Sequence, residues 1–193
     1  MAIYLESVLI VSYPEKSTDF FIEMVKSISC NIIVTVKTGG EARRLLMERD
    51  FDLCIINTPL QDESGENLSK HISSSGIGQV IICVKNEYYE DLSAIVEDFG
   101  VITVPKPISK SFFWTALKLA KATFTKMNTL QSENNKLVQK IEDIRIVNRA
   151  KSILISHHKM SEQQAHKFIE QQAMDMRLTR RVVAEGILKT YEN

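Results

Sequence analysis

The chain has 193 residues, no net charge, 44% apolar and 25% charged residues, enough for one ordinary domain and a smaller companion. No run reaches the roughly 18–20 apolar residues of a membrane span, and Glu6 interrupts any signal-like layout, so a cytoplasmic protein is expected. Charge is graded: residues 1–110 hold 10 Lys+Arg against 16 Asp+Glu, residues 111–144 hold 5 against 3, and residues 145–193 hold 9 against 5.

Val8 to Val11 is a short apolar run, as for a strand buried on both faces. Phe20, Phe21, Met24, Val25 and Ile28 recur at helical spacing. Ile32 to Val36 reads as a second strand. Thr38 and Glu41 fit a capping box for a helix carrying Ala42, Leu45 and Leu46. Leu53 to Ile56 is a third strand, Pro59 to Gly65 a loop, and Leu68 and Ile72 mark a third helix. Val80 to Val84 and Ile102 to Val104 are the fourth and fifth strands. A helix with Leu92, Ile95, Val96 and Phe99 lies between them. Such alternation predicts an α/β fold, a doubly wound five-stranded parallel sheet. Cys30, Cys54 and Cys83 are expected to be reduced core residues. Asp62 and Glu63 read as solvated loop charges.

In such a sheet ligands and modifications gather at the carboxyl ends of the strands. These ends bring Ser12, Tyr13, Asn57, Lys85 and Lys106 into play, and Lys106 stands in a Pro105-Lys106-Pro107 context. From FDLCIINTPLQDESG to VPKP the chain resembles the receiver domain of two-component response regulators. The resemblance implies a flavodoxin-like fold over residues 1–125. It also implies a phosphorylation site built from an acidic pair holding Mg²⁺, an Asp, a Ser or Thr, and a Lys. Ser12 and Tyr13 stand at the acidic pair, Asn57 at the phosphoacceptor and Val84 at the hydroxyl. Only Lys106 is kept. An amide cannot form an acyl phosphate, and Mg²⁺ favours anionic oxygens. A pseudo-receiver without cofactor is therefore expected. Lys106 is read as a structural remnant bonded to Asn57, or as the holder of some other anion.

Ser109 can cap a helix through Phe112, Phe113, Ala116 and Leu117. Neither Gly nor Pro occurs from Ile108 to Glu185. With Met127 at a, the residues Met127, Leu130, Asn134, Leu137, Ile141, Ile144 and Asn148 fall at successive a and d positions. Residues 126–148 are read as a parallel homodimeric stalk, with Asn134 and Asn148 setting register at a cost in stability. The flanking positions add no specificity, since Lys140 would face Arg145. The alternative is a stripe that packs on the chain's own receiver.

Residues 149–193 read as a small three-helix bundle. The stalk's helix ends near His157-His158. Ser161 and Gln164 form a capping box for a helix whose inner face carries Ala165, Phe168, Ile169, Gln172 and Ala173. Thr179 caps a last helix with Val182, Val183, Ile187 and Leu188. This block resembles the ANTAR domain, the RNA-binding module of antitermination regulators. The match lies in Ala150-Lys151 with Leu154, Ser161 with Ala165, Ala173-Met174, and Ala184 with Ile187-Leu188. Ser156 to Met160 departs from it where the family often has a Gly-containing turn.

The resemblance implies binding to paired hairpins in an mRNA leader, which keeps a terminator from forming. Lys151, Arg177, Arg180 and Arg181 are the cations expected on phosphates. Ser161, Gln164 and Ala165 are expected at an RNA-approachable helix start, with His166 able to stack. The expected protein is an RNA-binding antiterminator, not an enzyme, with RNA, a second copy and a regulatory protein on the receiver as partners. A DNA-binding regulator is the alternative, as is an adaptor that binds no nucleic acid.

Overall fold

The five apolar runs become strands β1 (Ser7–Ser12), β2 (Ile32–Val36), β3 (Leu53–Asn57), β4 (Gln79–Lys85) and β5 (Ile102–Lys106). The structure is a computed structural model that describes residues 5–13, 15–28, 30–76 and 78–191. All pairings are parallel, in the order β2-β1-β3-β4-β5. Helices α1 (Glu15–Lys26), α2 (Gly39–Glu48), α3 (Glu66–Ser74) and α4 (Tyr89–Val96) alternate with the strands. Then follow α5 (Lys110–His158), α6 (Glu162–Met176) and α7 (Arg180–Tyr191).

Successive strand side chains point to opposite faces, and both faces are covered. Val8, Ile10, Leu53, Ile55, Ile81, Cys83 and Val104 pack with α1 and the start of α5. Leu9, Val11, Cys54, Ile56, Val80, Ile82 and Val84 pack with α2, α3 and α4. This two-sided burial explains why the central strands read as unbroken apolar runs rather than as alternation. Gly65 precedes α3 at φ 87, and a Cβ there would lie 2.9 Å from Ile56 Cγ2. Backbone freedom and lack of a side chain are both needed at that turn.

Several local expectations change. Thr38 Oγ1 accepts from Glu41 N at 3.1 Å, but Glu41 Oε2 accepts from Lys37 N, not from Thr38 N. Asp62 is no idle loop charge. Its carboxylate accepts from Gly39 N at 2.8 Å and Gly40 N at 3.0 Å, capping α2 from a distant loop. Those two N–H groups hold the Asp62 carboxyl below its ordinary range. Glu63 pairs with Arg43 at 2.8 Å. Helix α4 stops at Val96 and a 3₁₀ turn, Glu97–Phe99, follows, so Ile95 and Phe99 stay exposed. Cys54 and Cys83 are buried, their thiols pushed up to about 12 by burial, whereas Cys30 is only half-buried.

The chain divides into two compact units, Met1–Asn128 and Thr129–Asn193. Helix α5 is continuous through 49 residues and contributes to both. Its first turns supply Phe113, Ala116, Leu117, Ala120 and Phe124 to the core of the first unit. Met127 still belongs there, its sulfur accepting from Gln79 Nε2 at 3.1 Å.

In the second unit Ala150, Leu154, Ala165, Ile169, Ala173, Val183 and Ala184 form the core. Four of these seven are alanine, so the helices approach closely and large side chains are turned out. Phe168 and Val182, expected on inner faces, are 38% and 44% exposed. The break between α5 and α6 forms without Gly or Pro. Lys159 takes the left-handed conformation at φ 53. The Ser161 capping box then starts α6, Ser161 Oγ accepting from Gln164 N and Gln164 Oε1 from Ser161 N. A lysine thus stands in the left-handed position that glycine favours.

Candidate nucleic-acid interface and receiver site

The strand register builds the receiver site. Ser12 pairs across from Asn57, and Asn57 from Cys83, at the carboxyl ends of β1, β3 and β4. Ser12 and Asn57 are each 3% exposed, and Asn57 Nδ2 donates to Ser12 Oγ at 2.9 Å. Two neutral groups bonded to each other thus stand where the resemblance implies carboxylates around a metal. The donor set therefore does not fit Mg²⁺, which is bound through anionic oxygens. Val84 is buried, and its apolar side chain lines the neighbouring wall. Tyr13 is half exposed.

Lys106 does not bond Asn57. Its ammonium donates to the Thr58 carbonyl, while Thr58 N and Oγ1 both donate to the Cys83 carbonyl. Burial pulls the Lys106 ammonium below the ordinary lysine range, and repulsion from Lys85 adds to it. Among the described residues no carboxylate lines the cleft that Lys106 shares with Tyr13, Lys16, Asn57 and Pro107.

In the second unit the structure gathers four of the eight residues read as RNA contacts. Lys151, His166, Arg180 and Arg181 line one cavity of about 390 Å³ with Asp143, Ile144, Asn148 and Thr179. Each cation there already has a carboxylate partner. Lys151 pairs with Glu162 at 3.1 Å, Arg180 with Glu170 at 3.0 Å, and Arg181 with Asp143 and Glu185 at 2.8 Å each. His166 Nε2 lies 3.4 Å from the same Glu170. The hydrogen bonds from Gln139 and then Arg181 hold the Asp143 carboxyl below its ordinary range, and those to Glu185 and Asp143 raise Arg181.

The other four residues are placed differently. Ser161 and Gln164 are occupied with each other in the capping box. Ala165 is fully buried in the alanine-rich core and cannot contact a ligand, which corrects its reading as an RNA-facing residue. Arg177 sits apart, capping α6 in the left-handed conformation at φ 54. The acidic partners, above all Asp143 and Glu170, were not foreseen. Glu170 does lie four residues after His166, the spacing of facing helical pairs.

A sheet of this order, ending on a Lys-Pro, with a small helical unit carried on its last helix, defines a response regulator with a helical output module. Residues 135–188 match the ANTAR domain family. The chain is 30% identical over 169 residues to transcriptional regulatory protein PdtaR of Mycobacterium tuberculosis, covering 87% of this chain and 82% of that protein. The chain belongs to the ANTAR-domain response regulators. In fold, the front half is similar to the signal receiver domain of an HD-domain protein from Pseudomonas fluorescens. That likeness has a TM-score of 0.59 and 15% identity, over 67% of this chain and 96% of that one. A CheY-like receiver domain from Methylobacillus flagellatus is similar too, with a TM-score of 0.51 and 20% identity, over 61% and 99%. Among the described residues no helix is long and apolar enough to cross a membrane.

Proposed function

We propose that this protein is an RNA-binding transcription antiterminator acting as a parallel homodimer, with a receiver that signals without phosphorylation. The observation that carries the reading is the cavity collecting Lys151, His166, Arg180 and Arg181 in an ANTAR-type unit. The carboxylates that hold its cations lie at the surface, where ion pairs are weak and screened by salt, while the Lys151 side chain itself is only 15% exposed. RNA phosphates can displace Glu162, Glu170 and Asp143 at small cost.

A gel shift with tandem-hairpin RNA, duplex DNA and the double variant Lys151→Ala/Arg180→Ala tests this. Hairpins should bind more tightly than duplex DNA at equal salt, and the variant should weaken binding. It should also flatten the salt dependence by about one unit of slope per lost phosphate contact. Tighter binding of the duplex would replace this reading with the DNA-binding one.

The inert receiver has its own test. Incubation with acetyl phosphate and Mg²⁺ should leave the intact mass unchanged, because Asn57 offers an amide already bonded to Ser12. A phosphoryl group mapped to the segment following β3 would refute it. The half-exposed Tyr13 and the carboxylate-free cleft around Lys106 leave a surface for a regulatory protein in place of a phosphoryl switch.

A further inference from the structure

On the far side of α6 from its buried alanines lies a second groove, of about 670 Å³, between the α5–α6 turn and the helix. Gln164, Lys167, Phe168 and Gln171 share one ridge at helical spacing, and Lys159 faces them from the turn. A single exposed aromatic is ordinary. Its surroundings here are not. Among the described residues no carboxylate lines the groove. Among the described residues, neither Lys159 nor Lys167 forms an ion pair, whereas the cations of the first cavity are all paired. Gln164 Oε1 is taken by Ser161 N and Gln171 Nε2 by Asp175, so Gln164 keeps its amide N–H group and Gln171 its amide oxygen for a ligand. An aromatic face flanked by two unpaired ammonium groups and these two amide atoms suits an unpaired nucleobase and its phosphates. Single-stranded RNA is held by stacking on aromatic rings and by cations along its backbone.

We propose that this groove seats one splayed-out loop base of an RNA hairpin. Phe168 is the stacking platform, Lys159 and Lys167 hold the flanking phosphates, and Gln164 and Gln171 carry amides toward the base edge. The inference deepens the RNA reading above and rests on it. It assigns the hairpin's recognition to two places: the paired cations of the first cavity for the stem, and this groove for the loop.

Phe168→Leu keeps an apolar side chain at a position that is already 38% exposed, so the fold should survive, with far-UV circular dichroism as the check. Hairpin binding by Phe168→Leu should weaken roughly 5- to 150-fold, the loss expected when one base–aromatic stack is removed. Phe168→Trp should restore it. In a Trp114→Phe background that new indole should lose fluorescence as hairpin RNA is added. At one loop position, an abasic nucleotide should weaken wild-type binding but make no further difference to Phe168→Leu. If wild type binds hairpins and Phe168→Leu binds them equally well, the base seat is wrong and the RNA reading stands. If wild type ignores hairpins, or binds duplex DNA through Phe168 instead, both fall.

Discussion

Substituting Leu137→Asp together with Ile141→Asp is expected to convert the protein to monomers and to weaken tandem-hairpin binding by about 10²- to 10⁴-fold. Leu130, Leu137, Ile141 and Ile144 are each 50–59% exposed on α5, one apolar side chain per half-heptad, with Asn134 and Asn148 interleaved. A helix that leaves such a stripe open on its own chain fits a second copy of itself. Burying each of these side chains contributes about 1.5–3 kcal/mol, and a buried unpaired carboxylate reverses that gain. The loss of RNA binding follows from linkage: two tail units on one stalk make the second hairpin contact intramolecular. Ile144 and Asn148 also line the cation cavity, so the proposed seam and the proposed RNA site would adjoin. Sedimentation and a titration with one-hairpin and two-hairpin RNA check both parts. The one-hairpin affinity should change far less than the two-hairpin affinity. A double variant that remains dimeric would show that the stripe is not the seam.

The parts legible in the sequence are those written by burial or by local chemistry. Val8 to Val11 and Leu53 to Ile56 are buried on both faces, so the strands announce themselves as apolar runs and their order follows from the alternation with helices. The Ser161–Gln164 box was readable because donor and acceptor lie three residues apart. What stayed hidden depends on contacts distant in sequence. Asp62 caps α2 across 22 residues and more, which no local pattern encodes. Lys106 donates to the Thr58 carbonyl and not to Asn57, whose amide N–H donates to Ser12, and both contacts bridge more than 40 residues of sequence. Phe168 lies outside the core for a different reason. Hydrophobicity assigns a phenylalanine to the inner face of its helix, but the core there is built on Ala150, Ala165, Ala173 and Ala184, and the ring stays 38% exposed. The cations were found from the family resemblance, while their carboxylate partners come from three different helices and appear only on folding.

Replacing Phe113 with alanine should destabilise the first unit by about 3–5 kcal/mol. Phe113 is fully buried and stands 5.2 Å from the Phe21 ring and 5.6 Å from Phe20. The substitution removes two aromatic contacts, each worth about 0.5–1.5 kcal/mol beyond area burial, and leaves a cavity between α1, the sheet and α5. The neighbouring Ala116 and Ala120 are too small to fill it. Trp114, the only tryptophan, packs against the same cluster and reports this unit selectively. Its unfolding midpoint should fall by roughly 1–5 M urea at the slopes usual for small domains. The second unit shares no core residue with this cluster, so the variant should still bind hairpin RNA wherever its α6 and α7 remain folded. A midpoint that hardly moves would mean that the start of α5 is not anchored through Phe113.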